Sequence, residues 1–140
     1  MCSDYGIPQM RKRLFVVATR MDVPLISLDF AADKRSIDLS EYLGKPFEKK
    51  TAYTIRCGGR HSPIHDKHNW DGYMVDGKEY RLTIADGLRL QGFAPEFVLC
   101  GSQTDQWKQL GNTIPTIFTE LIGKNIQCAL SVTLETTVTE

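Results

Sequence analysis

Three side chains near the start of this 140-residue chain stand two positions apart: Gln9, Arg11 and Arg13. In extended chain, residues two apart project from the same face. One amide and two guanidiniums would then converge on one spot. A phosphate, or the carbonyl oxygen of a pyrimidine, accepts several such donors at once. The same spacing also suits ordinary charged residues at the entrance to a strand.

A second constellation runs from Thr51 to Arg60 and holds Thr54, Arg56, Gly58, Gly59 and Arg60. A strand ending in Gly-Gly lets the backbone approach a ligand closely. Flanking arginines can each donate two hydrogen bonds to a guanine in a major groove. The plainer reading is a strand and a glycine turn. A third lies at Gly111-Asn112-Thr113-Ile114-Pro115, where a helix start is expected, with Asn112 or Thr113 as its cap. Unpaired N–H groups and the partial positive charge of a helix N-terminus suit an anionic group. His61, His65 and His68, with Cys57 or Cys100, invite a zinc reading. Structural zinc uses close-spaced ligand pairs, whereas these histidines are irregularly spaced within one loop. No metal site is assigned, and histidines near a phosphate are the preferred reading.

These groups must be carried by regular elements. Leu14-Phe15-Val16-Val17-Ala18 is a continuous apolar run with β-branched residues, which suits a strand buried on both faces. Such a strand needs sheet neighbours and covering layers. The chain has little other strand of this kind, so the neighbours are expected from elsewhere. Residues 21–50 read as irregular, with a short helix within 35–43. Thr51–Cys57 reads as a strand. Gly72 to Tyr80 is a hairpin signature, with Asp76-Gly77 as a two-residue turn of positive φ. Thr83-Ile84-Ala85-Asp86 is a capping-box variant opening a helix that Gly92 would close, and Arg89 can pair with Asp86 across one turn. A second short helix is expected over 103–110. The third has Pro115 in its first turn and Ile114, Ile117, Phe118, Leu121, Ile122 and Ile126 on one stripe. The Thr-rich residues 131–140 are expected to fray.

Composition sets the outer limits. The chain is 41% hydrophobic and 24% charged, which argues against disorder. No apolar run is long enough to span a bilayer, and no signal-peptide core opens the chain, so an intracellular, cytoplasmic protein is expected. Formal net charge is zero, whereas a free-standing DNA-binding domain is usually basic. The charge is uneven, however. Residues 1–20 hold Arg11, Lys12, Arg13 and Arg20 against Asp4; residues 45–60 hold Lys45, Lys49, Lys50, Arg56 and Arg60 against Glu48. Such patches fit a phosphate backbone, and solvated charged faces equally. Cys2, Cys57, Cys100 and Cys128 form no C-x-x-C and read as free thiols.

Three motifs occur in one order and resemble the closing third of a DNA (cytosine-5)-methyltransferase. Asp4-Tyr5-Gly6-Ile7-Pro8-Gln9-x-Arg11-x-Arg13 is similar to that family's Gln-x-Arg-x-Arg motif. Arg81-Leu82-Thr83-x-x-Asp86-x-x-Arg89-Leu90-Gln91-Gly92-Phe93-x-x-x-Phe97 resembles the motif that organises its target-recognition domain, with Asp86 where Glu is more usual. Gln109-Leu110-Gly111-Asn112-Thr113-Ile114-Pro115 resembles its last motif, whose Gly-Asn opens the C-terminal helix. Between them, Thr54-Ile55 stands where the recognition domain has Thr-Leu before a glycine-rich loop.

The resemblance implies a α+β fold: one buried strand joining a partner's mixed sheet (1–20), a small, mostly-β target-recognition domain (21–100), a helical segment packing back on the catalytic domain (101–130), and a tail (131–140). It implies that Arg13 reaches a flipped cytosine with Gln9 and Arg11 in support. Thr54, Arg56, Gly58, Gly59 and Arg60 would face DNA, and Asn112 and Thr113 would line part of an S-adenosylmethionine pocket. The implied reaction is methyl transfer to carbon 5 of cytosine in duplex DNA, on a base flipped from the stack and attacked by a cysteine thiolate. No cysteine here follows a proline, so the family's Pro-Cys nucleophile is missing, as is the glycine-rich cofactor turn. The expectation is the smaller subunit of a two-polypeptide bacterial or phage methyltransferase, inactive without a larger chain, in a restriction–modification setting. Met1 just ahead of the first motif fits a naturally split gene and equally a shortened chain. The alternatives are a catalytically dead DNA-binding or regulatory fragment, which neutral charge disfavours, and a zinc-stabilised module resting on the histidine loop.

Overall fold

The computed structural model describes residues 1–21, 25, 26 and 36–137, with side chains as far as Ser131. The irregular stretch expected between 21 and 50 lies partly outside the described residues. Among the described residues the fold is α+β, with four α-helices and one two-stranded sheet.

A single 3₁₀ turn, Cys2–Tyr5, ends at Gly6 in the left-handed region (φ 79°). Helix α1 spans Leu39–Leu43, capped by the Asp38 carboxylate on Ser40 N. Strands β1 (Gly72–Val75) and β2 (Lys78–Arg81) pair antiparallel, with Val75 opposite Lys78. Asp76 (φ 50°) and Gly77 (φ 68°) form the expected two-residue turn, whose twist matches that of the paired strands. Helix α2 spans Ile84–Leu90 and opens on the expected capping box between Thr83 and Asp86. Gly92 follows its last turn at φ 79°. Helix α3 spans Gln103–Asn112, with Ser102 and Asp105 as a second capping box. Helix α4 spans Thr116–Thr137.

The core gathers Leu39, Leu43, Phe47, Ala52, Ile55, Trp70, Tyr73, Leu82, Leu88, Leu90, Trp107 and Leu110. Residues before and after position 100 therefore share one apolar interior, because α3 packs on α2. Gly87 permits that contact: a Cβ there would lie 2.9 Å from both Leu110 and Trp107. Trp70 and Trp107 meet edge to face, with centroids 5.3 Å apart. A second, smaller cluster joins Cys2, Ile7 and Phe118, flanked by Tyr5, Phe15 and Ile117.

Leu14–Ala18, whose sheet neighbours were expected from elsewhere, forms no strand within this chain, and Leu14 and Val16 are 89% and 84% exposed. Several expectations need correction. Thr51–Cys57 is extended but makes only an isolated parallel bridge, Gln9 to Ala52. Two of its other polar groups meet side chains: Tyr53 N donates to the Tyr73 hydroxyl, and Arg11 donates to Ile55 O. The segment expected to be mostly β thus holds one short hairpin among its described residues. Gly111-Asn112 closes α3, and the C-terminal helix opens at Thr116. Thr113 accordingly C-caps α3, and its hydroxyl donates back to Leu110 O at 2.8 Å. Helix α4 continues through 131–137, where fraying was expected. No Gly or Pro interrupts it there, and Ser131 donates to Gln127 O one turn earlier.

Arg89 does not pair with Asp86. It donates to the carbonyls of Tyr42 and Leu43 that end α1, where a cation meets the negative end of a helix. Asp86 is buried and is met instead by Tyr80, Thr83 and Lys45. Burial pushes its carboxyl up, but these donors outweigh that and hold it below the usual carboxylate range.

Candidate nucleic-acid interface and active-site edge

The Gln-x-Arg-x-Arg segment begins as a clamped element. Ala52 N donates to Pro8 O at 2.7 Å, and Met10 N donates to Ala52 O at 2.8 Å. This parallel bridge turns Gln9 and Arg11 inward and Met10 outward. Gln9 Nε2 donates to Leu90 O, at the end of α2, at 2.7 Å. Arg11, 1% exposed, donates to Ile55 O at 3.0 Å, Gly111 O at 2.8 Å and Thr113 O at 2.7 Å. Two of those carbonyls belong to the open end of α3, so a buried cation closes that helix. Burial, with the nearby Arg13 charge adding to it, pushes the Arg11 guanidinium down to about 10. It therefore stays protonated at neutral pH.

Arg13 has a different fate. It is exposed, donates to Lys12 O at 2.8 Å, and lines an open concavity with Met1, Tyr5, Lys12, Phe15 and Phe118. The three side chains do not meet at one spot. Two are consumed by main-chain carbonyls, and the third is left free to reach outward, because the bridge to Ala52 does not extend past Met10.

The second constellation also divides. Thr54 Oγ1 donates to Met10 O at 2.8 Å, tying this segment to the first motif. Arg56 is exposed beside Thr54 and Lys67 in a concavity floored by Tyr53 and Trp70. Gly58 O accepts the Trp70 indole N–H at 2.8 Å, and Gly59 takes φ 78°, a conformation that favours glycine. Arg60 lies over the Trp107 ring at 4.8 Å, with Nε 3.4 Å from the fully buried Asp71 carboxylate. Arg81 reaches the same carboxylate at 3.1 Å. Arg60 is thereby held on the scaffold, while Arg56 presents a free face.

At the third motif, Asn112 and Thr113 border a groove of about 410 Å³ walled by Phe93, Phe97, Val98 and Leu99. The Asn112 carboxamide oxygen lies 2.9 Å from Cys57 Sγ. An aromatic wall with a carboxamide and a hydroxyl at one end fits one edge of a nucleoside-bearing cofactor such as S-adenosylmethionine. Asn112 and Thr113 are the residues that would touch it. Among the described residues, no three His, Cys, Asp or Glu side chains come together as a metal-binding group. No helix among them is long and apolar enough to cross a membrane.

Sequence reasoning missed Asp71, which orders two arginines, and the contact of Cys57 with Asn112. It also missed Lys67, which only the folding of the histidine loop brings beside Arg56. Spacing holds no signal for any of them.

Comparison with known proteins converges on one family. The model for C-5 cytosine-specific DNA methylases matches residues 35–128. The Type II methyltransferase M.AplI of Arthrospira platensis is 28% identical, over 91% of this chain and 46% of its own length. M.BspRI of Lysinibacillus sphaericus is 28% identical over 88% of this chain and 41% of its own. M.MthTI of Methanothermobacter thermautotrophicus is 26% identical over 89% and 53%. The chain spans about half the length of the curated relatives it matches.

Proposed function

The chain belongs to the C-5 cytosine-specific DNA methylases, and from that premise we propose that it is the DNA-recognition and active-site-completing part of a cytosine-5 methyltransferase whose reactive thiol lies on a companion polypeptide. The reaction is methyl transfer to cytosine in duplex DNA, in an intracellular bacterial or phage setting. S-adenosylmethionine supplies the methyl group when bound.

One observation carries the reading. Immediately after a segment locked into this chain's interior, Leu14 and Val16 stand almost fully exposed, in no regular element. A β-branched apolar run in that state lacks the sheet neighbours its composition calls for. The polypeptide bearing the missing Pro-Cys motif would supply them. Helix α4 agrees: Leu121, Ile122 and Ile126 are only half-buried, and Leu130 is 50% exposed.

Within that assembly each side chain has a task. Arg13 donates from the open concavity to the carbonyl oxygen of the flipped cytosine. Gln9 and Arg11 hold its backbone in place. Arg56 reads the duplex, with Thr54, Gly58 and Gly59 shaping the loop that carries it, and Arg60 braces that loop through Asp71 and Trp107. Asn112 and Thr113 touch one edge of the cofactor.

Coexpression with the polypeptide encoding the Pro-Cys motif tests the reading. The pair is expected to copurify and to methylate DNA, whereas the 140-residue chain alone transfers nothing. Arg13→Ala should abolish methylation without disturbing assembly. Methylation by the lone chain, or full activity of Arg13→Ala, would sink the proposal. Sequence-specific binding by the monomer at physiological salt, with no companion retained, would favour a stand-alone DNA-binding fragment.

A further inference from the structure

The DNA-facing loop and the cofactor-facing end of α3 are in direct contact. Cys57 Sγ lies 2.9 Å from Asn112 Oδ1 and 3.7 Å from Lys108 O. Gly111 is pressed against the same loop: a Cβ there would lie 2.5 Å from Cys57 N and 2.6 Å from the Arg56 carbonyl carbon. Arg11 bonds Ile55 O on one side and Gly111 O and Thr113 O on the other. Three independent contacts therefore join residues 55–57 to residues 111–113. Of these, only the Cys57 bond reaches a side chain of the cofactor groove.

We infer that Cys57 is a positioning residue for Asn112: from within the recognition loop, its thiol sets the orientation of the carboxamide that meets the cofactor. The thiol donates to the amide oxygen. That leaves the amide nitrogen as the group able to donate to a ligand. A change in the loop on DNA binding then has a direct route to the Asn112 side chain. The cofactor half of this inference rests on the function proposed above, whereas the bond itself does not.

Two measurements test it. In the lone chain, the Asn112 side-chain amide resonances should move in Cys57→Ala and return towards their original positions in Cys57→Ser, whose hydroxyl still donates. In the coexpressed complex, Cys57→Ala should raise the KM for S-adenosylmethionine about fivefold, the size of one lost neutral hydrogen bond, with kcat changing less. Cys57→Ser should restore most of it. An unmoved Asn112 amide, an unchanged KM, or a serine variant no better than alanine overturns the inference. If the wild-type complex methylates no DNA although the Asn112 amide responds as expected, the proposed function has failed and the cofactor role fails with it.

Discussion

Arg11 and Arg13 belong to one motif, yet they occupy opposite environments. Arg11 is enclosed and donates from both terminal nitrogens to three carbonyls. Arg13 is exposed and keeps most of its donors. Spacing of two aligns side chains only while the strand is straight and paired, and the pairing to Ala52 ends at Met10. The difference teaches that a motif can mix an anchor with a reagent, and that burial separates them. The largest expected effect follows. Arg11→Met strands the buried Ile55 and Gly111 carbonyls and removes the partner of the part-buried Thr113 carbonyl, at a cost of at least about 2 kcal/mol, since each unsatisfied buried acceptor costs roughly 1–3. Urea unfolding of the lone chain measures it. A loss as small as that of Arg13→Ala would break the comparison.

The next effect tests whether the anchor's surroundings are as tight as its hydrogen bonds suggest. In Gly111→Ala, the added methyl meets main-chain atoms of Arg56 and Cys57 first, and the Cys57 sulfur next. Overpacking of this kind costs about 1–3 kcal/mol, read from the shift in unfolding midpoint. Gly123→Ala is the matched control, because nothing lies within 4 Å of a Cβ there. That exposed helical position should gain up to about 1 kcal/mol instead. Equal responses at the two glycines would argue that the junction is loose.

Local signals were legible in the sequence, and long-range ones were not. The Asp76-Gly77 turn and the Thr83–Asp86 capping box formed where expected, because each depends on residues within a few positions. The helix over 103–110 was found with its end placed two residues short. The strand at Thr51–Cys57 and the Asp86–Arg89 pair failed, because distant side chains compete for the same groups: Arg11 and Tyr73 in one case, Tyr80 and Lys45 in the other. The residues expected at the candidate site were named from motifs, whereas Asp71 and Lys67 were not. The division of the expected residues into buried and outward members was not legible, since it depends on contacts between positions 9–13, 52–55 and 111–113.

A smaller and more selective effect separates the two arginines of the recognition loop. Arg60→Ala removes a partner from the buried Asp71 carboxylate and bares the Trp107 face. Arg81 remains on Asp71, so the loss should stay near 1–2 kcal/mol, below the roughly 3–5 of a fully orphaned buried ion. Arg56→Ala should leave stability within about 0.5 kcal/mol. In the complex, however, it should erase about 1–3 kcal/mol of preference between cognate and altered duplexes. Competition binding at fixed salt reads that preference. A uniform loss across all duplexes would mark Arg56 as a phosphate contact.

The smallest effect on the lone chain is expected at its most apolar exposed positions. Leu14→Ser and Val16→Ser remove side chains that already face solvent, so unfolding should shift by no more than about 0.5 kcal/mol. If a companion buries these side chains, the same substitutions lose burial on assembly worth about 1.5–3 kcal/mol each. The double variant should then fold like wild type yet dissociate from the companion, as analytical ultracentrifugation of the mixture would show. Phe15→Ala supplies the contrast within the same segment. Its ring packs on Phe118 with centroids 5.5 Å apart, so it should destabilise the lone chain directly. Alternate residues that answer to different partners would mark this segment as a docking strand. If Leu14 and Val16 proved indifferent to assembly, the exposed run would be no docking strand.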